Sequence, residues 1–376
     1  MEVKSRITRR YDIDWMRSIA VLLLIPFHTM HIFIHQPYSI VYIKNSVAIP
    51  RFEAIIQFLH EFHMPLLFFL AGASACFSLQ RRNSSEFVRE RFRKLFFPML
   101  AGILFLIPPM TYLYRLSVGD NITLLKHYIN FFSTDPGDLS GLSGGFTPAH
   151  LWFILFLFVF SLAGLPLFRM IDRQSALQTG VSRFLSGRFL LPLLSVPLAI
   201  ASAAEILDDK NPLVYFLFFL YGYVFIGREG FQKAVNRDKA VYLIAAAVFE
   251  AMLQFYPNRF AEWSAGFMVY ELIKVMNRLL WVFVILGYGS RYLNRPSKVL
   301  KYLSGVSFAV YILHMPVNTL VGFFVVRTDI GPYGKFILII LLTTILTFAV
   351  CEITRRIKSA CSGRSRGAHE KTVCSK

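Results

Sequence analysis

The amino-acid sequence predicts an all-α fold: a polytopic membrane helix bundle of about ten transmembrane helices, with both termini cytoplasmic. Three observations carry that prediction. Of 376 residues, 55% are hydrophobic and only 16% charged, with 38 phenylalanines, a balance that excludes disordered, collagen-like and ordinary soluble chains. A bilayer-crossing helix needs roughly 20 mostly apolar residues, and such runs fall at 15–34, 55–79, 95–114, 150–170, 189–206, 213–227, 240–256, 270–290, 302–326 and 335–354. Finally, the lysines and arginines alternate with those runs as cytoplasmic loops do.

With the N-terminus inside, the inner segments 1–14, 80–94, 169–188, 228–239, 291–301 and 355–376 hold 29 of the 40 basic residues. The outer loops hold seven: Lys44, Arg51, Arg115, Lys126, Lys210, Arg259 and Arg327. Arg17, Lys274, Arg278 and Lys335 lie in or beside spans. The net charge of +18 is thereby read as topology, with no nucleic-acid partner. Residues 1–354 form one integral membrane domain, and 355–376 a basic, disordered cytoplasmic tail. The first span is no cleavable signal peptide, because it carries Arg17, His28, His31 and His35 and no small-residue cleavage site follows. Cys76, Cys351, Cys361 and Cys374 make neither a disulfide framework nor a zinc pattern, so no metal is expected.

Ionisable residues within spans are costly and mark candidate sites. In the first span Arg17 and His28 are eleven positions apart, nearly one helix face, with a rise of about 16 Å. Asp14 lies three before Arg17 and can pair with it. Pro26 frees a backbone carbonyl next to His28. Counting depth from the span ends puts His28, His63 and His314 at one mid-membrane level, while His150 opens the fourth span at the outer face beside Trp152. At the inner mouth, Arg81, Arg82, Arg89, Arg91, Arg93 and Lys94 form a basic cluster. It reads either as positive-inside topology or as an anion site, since guanidiniums take phosphate oxygens in a bidentate manner. Glu205, Glu250, Glu271, Lys274 and Arg278 are further membrane-proximal charges, the last three at pairing intervals along one helix.

These residues resemble the acyltransferase 3 family of integral membrane acyltransferases. Tyr11-Asp-Ile-Asp-Trp-Met-Arg17 to Phe27-His28 resembles its arginine, ten residues, histidine signature. Phe62-His63-Met64-Pro65-Leu-Leu-Phe68-Phe69-Leu-Ala-Gly72 resembles its Phe-Phe-x-x-Ser-Gly stretch, with Ala71 where Ser is usual. Arg91-Phe-Arg-Lys94 resembles its Arg-x-x-Arg pair, with Lys94 replacing the second fork. His150-Leu-Trp152-Phe153 and Ser307-Phe-Ala-Val-Tyr311-Ile-Leu-His314 are similar to the family too. The Ile-Pro26-Phe-His28 run and the lack of a fused esterase domain look most like the branch that succinylates osmoregulated periplasmic glucans.

The resemblance implies a bacterial cytoplasmic-membrane O-acyltransferase. It implies transfer of acetyl or succinyl from cytoplasmic acyl-CoA, a co-substrate, to a hydroxyl of an extracytoplasmic glycan or lipid-linked sugar. No tightly bound cofactor is expected. Under it, His28 is the catalytic base or a transient acyl carrier, Arg17 orients the donor, and His63 and His314 polarise the thioester or relay the proton. Arg89, Arg91, Arg93 and Lys94 would meet coenzyme A phosphates; Glu61, His150, Trp152 and Tyr311 would position the acceptor. The competing expectation is a transporter or flippase using the same intramembrane His and Arg groups.

Overall fold

The computed structural model describes residues 9–35, 42–132, 142, 144–173, 190–204, 206–207, 210–226, 228–256 and 259–373. Among them all regular structure is helical. The chain opens with α1 (Tyr11–His31) and α2 (Arg51–Leu79), then α3 (Ser84–Arg91), a π-helical turn (Phe92–Phe96), α4 (Phe97–Phe105), α5 (Ile107–Ser117) and α6 (Leu124–Phe131). A 3₁₀ turn (Ala149–Leu151) leads into α7 (Trp152–Ala163) and α8 (Leu165–Arg173). There follow α9 (Leu190–Ala203), α10 (Pro212–Phe225), α11 (Glu229–Phe255), α12 (Ala265–Tyr292), α13 (Lys298–Val325) and α14 (Pro332–Val373). Local sequence explains several boundaries. Asn83 and Glu86 close a capping box at the start of α3, satisfying two orphan amides. Pro108 and Pro109 fall in the first turn of α5, where a missing N–H costs nothing, so the third span breaks at Leu106.

Five stretches are long and apolar enough to cross a membrane: Tyr11–His31, Arg51–Leu79, Ser84–Ser117, Lys298–Val325 and Pro332–Ile357. Two bent pairs, Ala149–Ala163 with Leu165–Asp172 (49°) and Pro212–Phe225 with Gly230–Phe255 (114°), raise that to seven if each is one span. The chain is thus a multi-pass helical membrane protein. The ten apolar runs of the sequence coincide with helices, but by length and composition the described residues hold five to seven spans. The shortfall falls on α9, which at 14 residues is short of a bilayer, and on helices that break or carry charge. The last helix continues to Val373, past residue 354 and into the segment for which the sequence predicts disorder. Glu205, and residues 133–141 and 143 between the third and fourth apolar runs, lie outside the described residues.

The chain divides into two compact units. The first comprises Met1–Ala20, Glu53–Ala101 and Leu151–Ser304. Its α2 and α10 approach until backbones touch: a Cβ on Gly72 would lie 1.8 Å from the Phe219 carbonyl oxygen, and one on Gly222 1.8 Å from that of Phe69. This is small-residue packing, which substitutes for a hydrophobic driving force inside a bilayer, and it gives the Phe68-Phe69-Leu-Ala-Gly72 stretch a packing reason. The second unit comprises Val21–Phe52, Gly102–His150 and Gly305–Lys376. There Phe33, Phe52 and Phe336 pack edge and face, with centroids 4.5–6.5 Å apart, within the range that favours aromatic pairs. Buried Lys335 is capped by the Val326 carbonyl at 2.8 Å and Asn45 Oδ1 at 3.3 Å.

Candidate functional site

The second unit holds a cluster of imidazoles. The His314 ring lies 5.3 Å from that of His28 and 5.3 Å from that of His150. His28 and His31 are 6.1 Å apart. Backbone carbonyls fix the tautomers, because a carbonyl only accepts and the nitrogen facing it must carry the proton. His314 Nδ1–H donates to the Tyr311 carbonyl at 2.7 Å. His31 Nδ1–H donates to Phe27 at 2.9 Å. His150 Nε2–H donates to Ile312 at 2.9 Å. Ile312 is four residues before Pro316, which lies inside α13 and has no N–H to offer that carbonyl; His150 fills the vacancy. The Tyr311 hydroxyl donates in return to the His150 carbonyl. Ala149, just before, adopts φ 42°, a left-handed conformation that a non-glycine residue holds only when its surroundings over-determine it. Each of these three rings therefore keeps its other nitrogen as a lone-pair acceptor. His150 is 7% exposed and His314 fully buried.

A small cavity of about 10 Å³ adjoins this cluster, lined by His28, His31, Tyr42, Asn318 and Thr319. Asn318 Nδ2 donates to Thr29 Oγ1 at 2.7 Å, and the Thr29 hydroxyl donates to the Ile25 carbonyl at 2.8 Å. All of these residues belong to the second unit.

The first unit holds a cavity of about 340 Å³ lined by Arg9, Arg10, Asp14, Arg17, Ser74 and Arg81, within the size range of small-molecule sites. Arg17 Nη2 donates to Ser74 Oγ at 2.5 Å, and Ser74 donates to the Leu70 carbonyl at 2.8 Å. Asp14 pairs with Arg9 at 2.9 Å and more loosely with Arg17 at 3.8 Å. Asp14 lines the cavity and Asp12 holds Arg10 through both carboxylate oxygens at 2.7 and 2.9 Å, so two of the four arginine charges are offset and the cavity stays positive. Arg89, Arg91, Arg93 and Lys94 do not line it. Arg89 and Arg93 are exposed, Arg91 stacks on Phe87 at 4.4 Å, and Lys94 is held by Glu90 at 2.6 Å.

His63 is buried in the first unit, where its Nε2–H donates to the Ala20 carbonyl at 2.6 Å. It fastens α2 to α1. Trp152 packs within 5.3–6.1 Å of Phe68, Phe156 and Tyr215. Three carboxylates of this unit have side-chain partners among the described residues. Glu61 accepts from Arg278 Nε at 3.1 Å; Glu271 accepts from Lys274 and from Ser202; Glu250 accepts from Asn277 at 2.7 Å. The sequence finds the Glu271–Lys274 interval but misses Glu61 as Arg278's partner. It also misses Arg9, Arg10, Tyr42, Asn318 and Thr319 as cavity residues. One signal was available: Asn318 is four residues after His314, hence on the same helix face.

A multi-pass helical membrane protein with a tautomer-fixed histidine cluster and an arginine-lined cavity is the class that fold and site define. The chain belongs to the acyltransferase 3 family: the family profile described as an acyltransferase domain matches residues 10–356. That makes it a membrane acyltransferase. It is 25% identical over 339 residues to glucans biosynthesis protein C of Salmonella schwarzengrund (strain CVM19633), covering 84% of each chain. It is 24% identical over 337 residues to the protein of that name from Salmonella paratyphi A, and 25% over 339 residues to the one from Salmonella typhi, again covering 84% of each chain. No solved structure matches the chain significantly.

Proposed function

We propose that this protein transfers an acyl group from acyl-CoA in the cytoplasm to a hydroxyl of an extracytoplasmic glucan, with His28 as the general base. The observation that carries the reading is the imidazole cluster: His28 lines a small polar cavity, 5.3 Å from a buried His314 whose tautomer a carbonyl holds. The acceptor oxygen attacks the thioester carbonyl carbon while His28 takes the hydroxyl proton. The tetrahedral intermediate collapses, the C–S bond breaks, and the proton on His28 passes to the departing CoA sulfur. The glucan ester and CoA are the products. His314 and His150 steady the rings and offer acceptor nitrogens through which the proton can be shared.

The donor's diphosphate suits the cavity of Arg9, Arg10, Arg17 and Arg81, because guanidiniums hold phosphate oxygens through paired N–H groups. Arg17 and His28 are eleven residues apart in the sequence. The carbohydrate reading draws support from the name of the relatives, glucans biosynthesis protein C. Ten spans, cytoplasmic termini and residence in a bacterial cytoplasmic membrane belong to the same proposal and rest on the 29-to-seven distribution of basic residues.

Purified protein in liposomes, given labelled acetyl-CoA or succinyl-CoA on one side and a glucan oligosaccharide on the other, tests it. CoA release with label on the glucan is the expected result, and the more active acyl-CoA names the donor. Glucan accumulating in vesicles without acyl-CoA, with no CoA release, would establish the transporter reading instead.

A further inference from the structure

We infer that the cavity beside His28 seats the attacking hydroxyl of the acceptor, and that Asn318 and Thr319 are the residues that hold it. This rests on the acyl-transfer reading and deepens it. The size is the first argument. About 10 Å³ is close to what one water-sized oxygen needs, and it excludes a sugar ring. The cavity therefore fits the tip of an acceptor, one hydroxyl on its carbon, with the ring left outside.

The lining is the second argument. Asn318 and Thr319 are each 3% exposed, so their polar groups are withdrawn from solvent, which is costly unless something pairs with them. The Asn318 amide is oriented by its neighbours. The Thr29 hydroxyl spends its proton on the Ile25 carbonyl, so toward Asn318 its oxygen can only accept. The NH₂ end of Asn318 must face Thr29, as the 2.7 Å contact has it. The amide oxygen is then the end that can take a proton from an incoming hydroxyl. The Thr319 hydroxyl has no hydrogen-bond partner among the described residues, and it can donate to or accept from the same oxygen. The acceptor O–H is thus held from the α13 side while His28 faces it from α1, as a base awaiting an aligned proton requires.

Two of the four candidates named for this task by sequence are engaged elsewhere. Glu61 takes Arg278, and the Tyr311 hydroxyl takes the His150 carbonyl. Asn318 and Thr319 follow His314 at four and five residues, so a single helix presents both the proton-sharing ring and the hydroxyl clamp.

The test compares Thr319→Val and Thr319→Leu with the unaltered protein, each shown to be monodisperse in detergent. CoA release and label on a glucan oligosaccharide are both measured while donor and glucan are varied separately. Val keeps the shape and removes the hydroxyl: the glucan KM should rise about two- to tenfold, the worth of one hydrogen bond, with the acyl-CoA KM unchanged. Leu fills the cavity: transfer should fall below a hundredth while acyl-CoA still binds. If both variants match the unaltered protein, or if the change falls on the acyl-CoA KM, the hydroxyl seat is elsewhere and only this inference fails. If the unaltered protein itself releases no CoA, the acyl-transfer reading fails and this assignment falls with it.

Discussion

Two regions of this molecule keep ionisable residues away from water, and they do it differently. In the first unit Glu61 meets Arg278, and Glu271 meets Lys274 and Ser202. Each carboxylate has a charged partner, so the group is held and finished. In the second unit His150, His31 and His314 meet backbone carbonyls. A carbonyl fixes which nitrogen carries the proton and leaves the other as an acceptor; of these three rings His31 lines the small cavity. A paired charge in an apolar setting is architecture; an imidazole with one nitrogen bound to a carbonyl can still accept a proton on the other. Sequence alone puts both sets in one category, because both are polar residues where lipid belongs.

The largest effect that can break this comparison is on stability. Arg278→Ala strands Glu61, whose side chain is only 18% exposed, and loss of one partner of a buried pair costs about 3–5 kcal/mol. The double change Glu61→Leu with Arg278→Met should recover most of that loss, which thermal unfolding in detergent would measure. If the double variant is as unstable as the single, the pair does more than neutralise itself.

A smaller effect should appear in donor affinity. Arg81 lines the basic cavity, whereas Lys94 is engaged by Glu90. Arg81→Ala should raise the acyl-CoA KM about tenfold, by loss of a charged hydrogen bond, and Lys94→Ala less than twofold. The reverse ranking would return the phosphate site to the stretch at 89–94.

The smallest effect concerns pH. His127 is buried on α6 against Thr111, 2.9 Å from its hydroxyl. Burial pushes its pKa below the ordinary imidazole value of 6.5, a backbone contact at Pro108 opposes this, and Arg115 adds to the lowering. The neutral ring is therefore the folded form, and the loosened segment binds the extra proton. Stability is full above 6.5 and declines as pH falls toward the lowered folded value. Protection factors on α6, with exchange corrected for its intrinsic pH dependence, should fall between pH 7.5 and 5 in the unaltered protein but not in His127→Gln. An equal fall in both would assign the effect to another group.

Much of the helical class was legible because apolar run length and basic-residue alternation are local properties of the chain. The Glu271–Lys274 contact was legible for the same reason, as a three-residue interval on one helix. Depth counting brought His28 and His314 to one level, and their rings lie 5.3 Å apart. It puts His63 at that level too, and within its own unit that ring donates to the Ala20 carbonyl. Counting residues from a span end gives height and says nothing of which way a side chain faces. Arg278 and Glu61 are 217 residues apart, and no periodicity links them. The breaks at Leu106 and Gly164 are written in Pro108, Pro109 and Gly164, yet within apolar runs they read as continuous spans. The carbonyl that Pro316 leaves open could be inferred from sequence; that His150 would take it could not.

The most direct test of the division between the two regions is the turnover of two folded variants in one assay. His28→Ala should leave thermal unfolding unchanged and lower kcat for acyl transfer at least about a hundredfold, the range of a lost general base. The Glu61→Leu/Arg278→Met double variant should keep kcat within about threefold, as expected for groups outside the chemistry. If His28→Ala retains kcat, or the double variant loses it while unfolding as the unaltered protein does, the chemistry belongs to the paired charges and not to the histidine cluster.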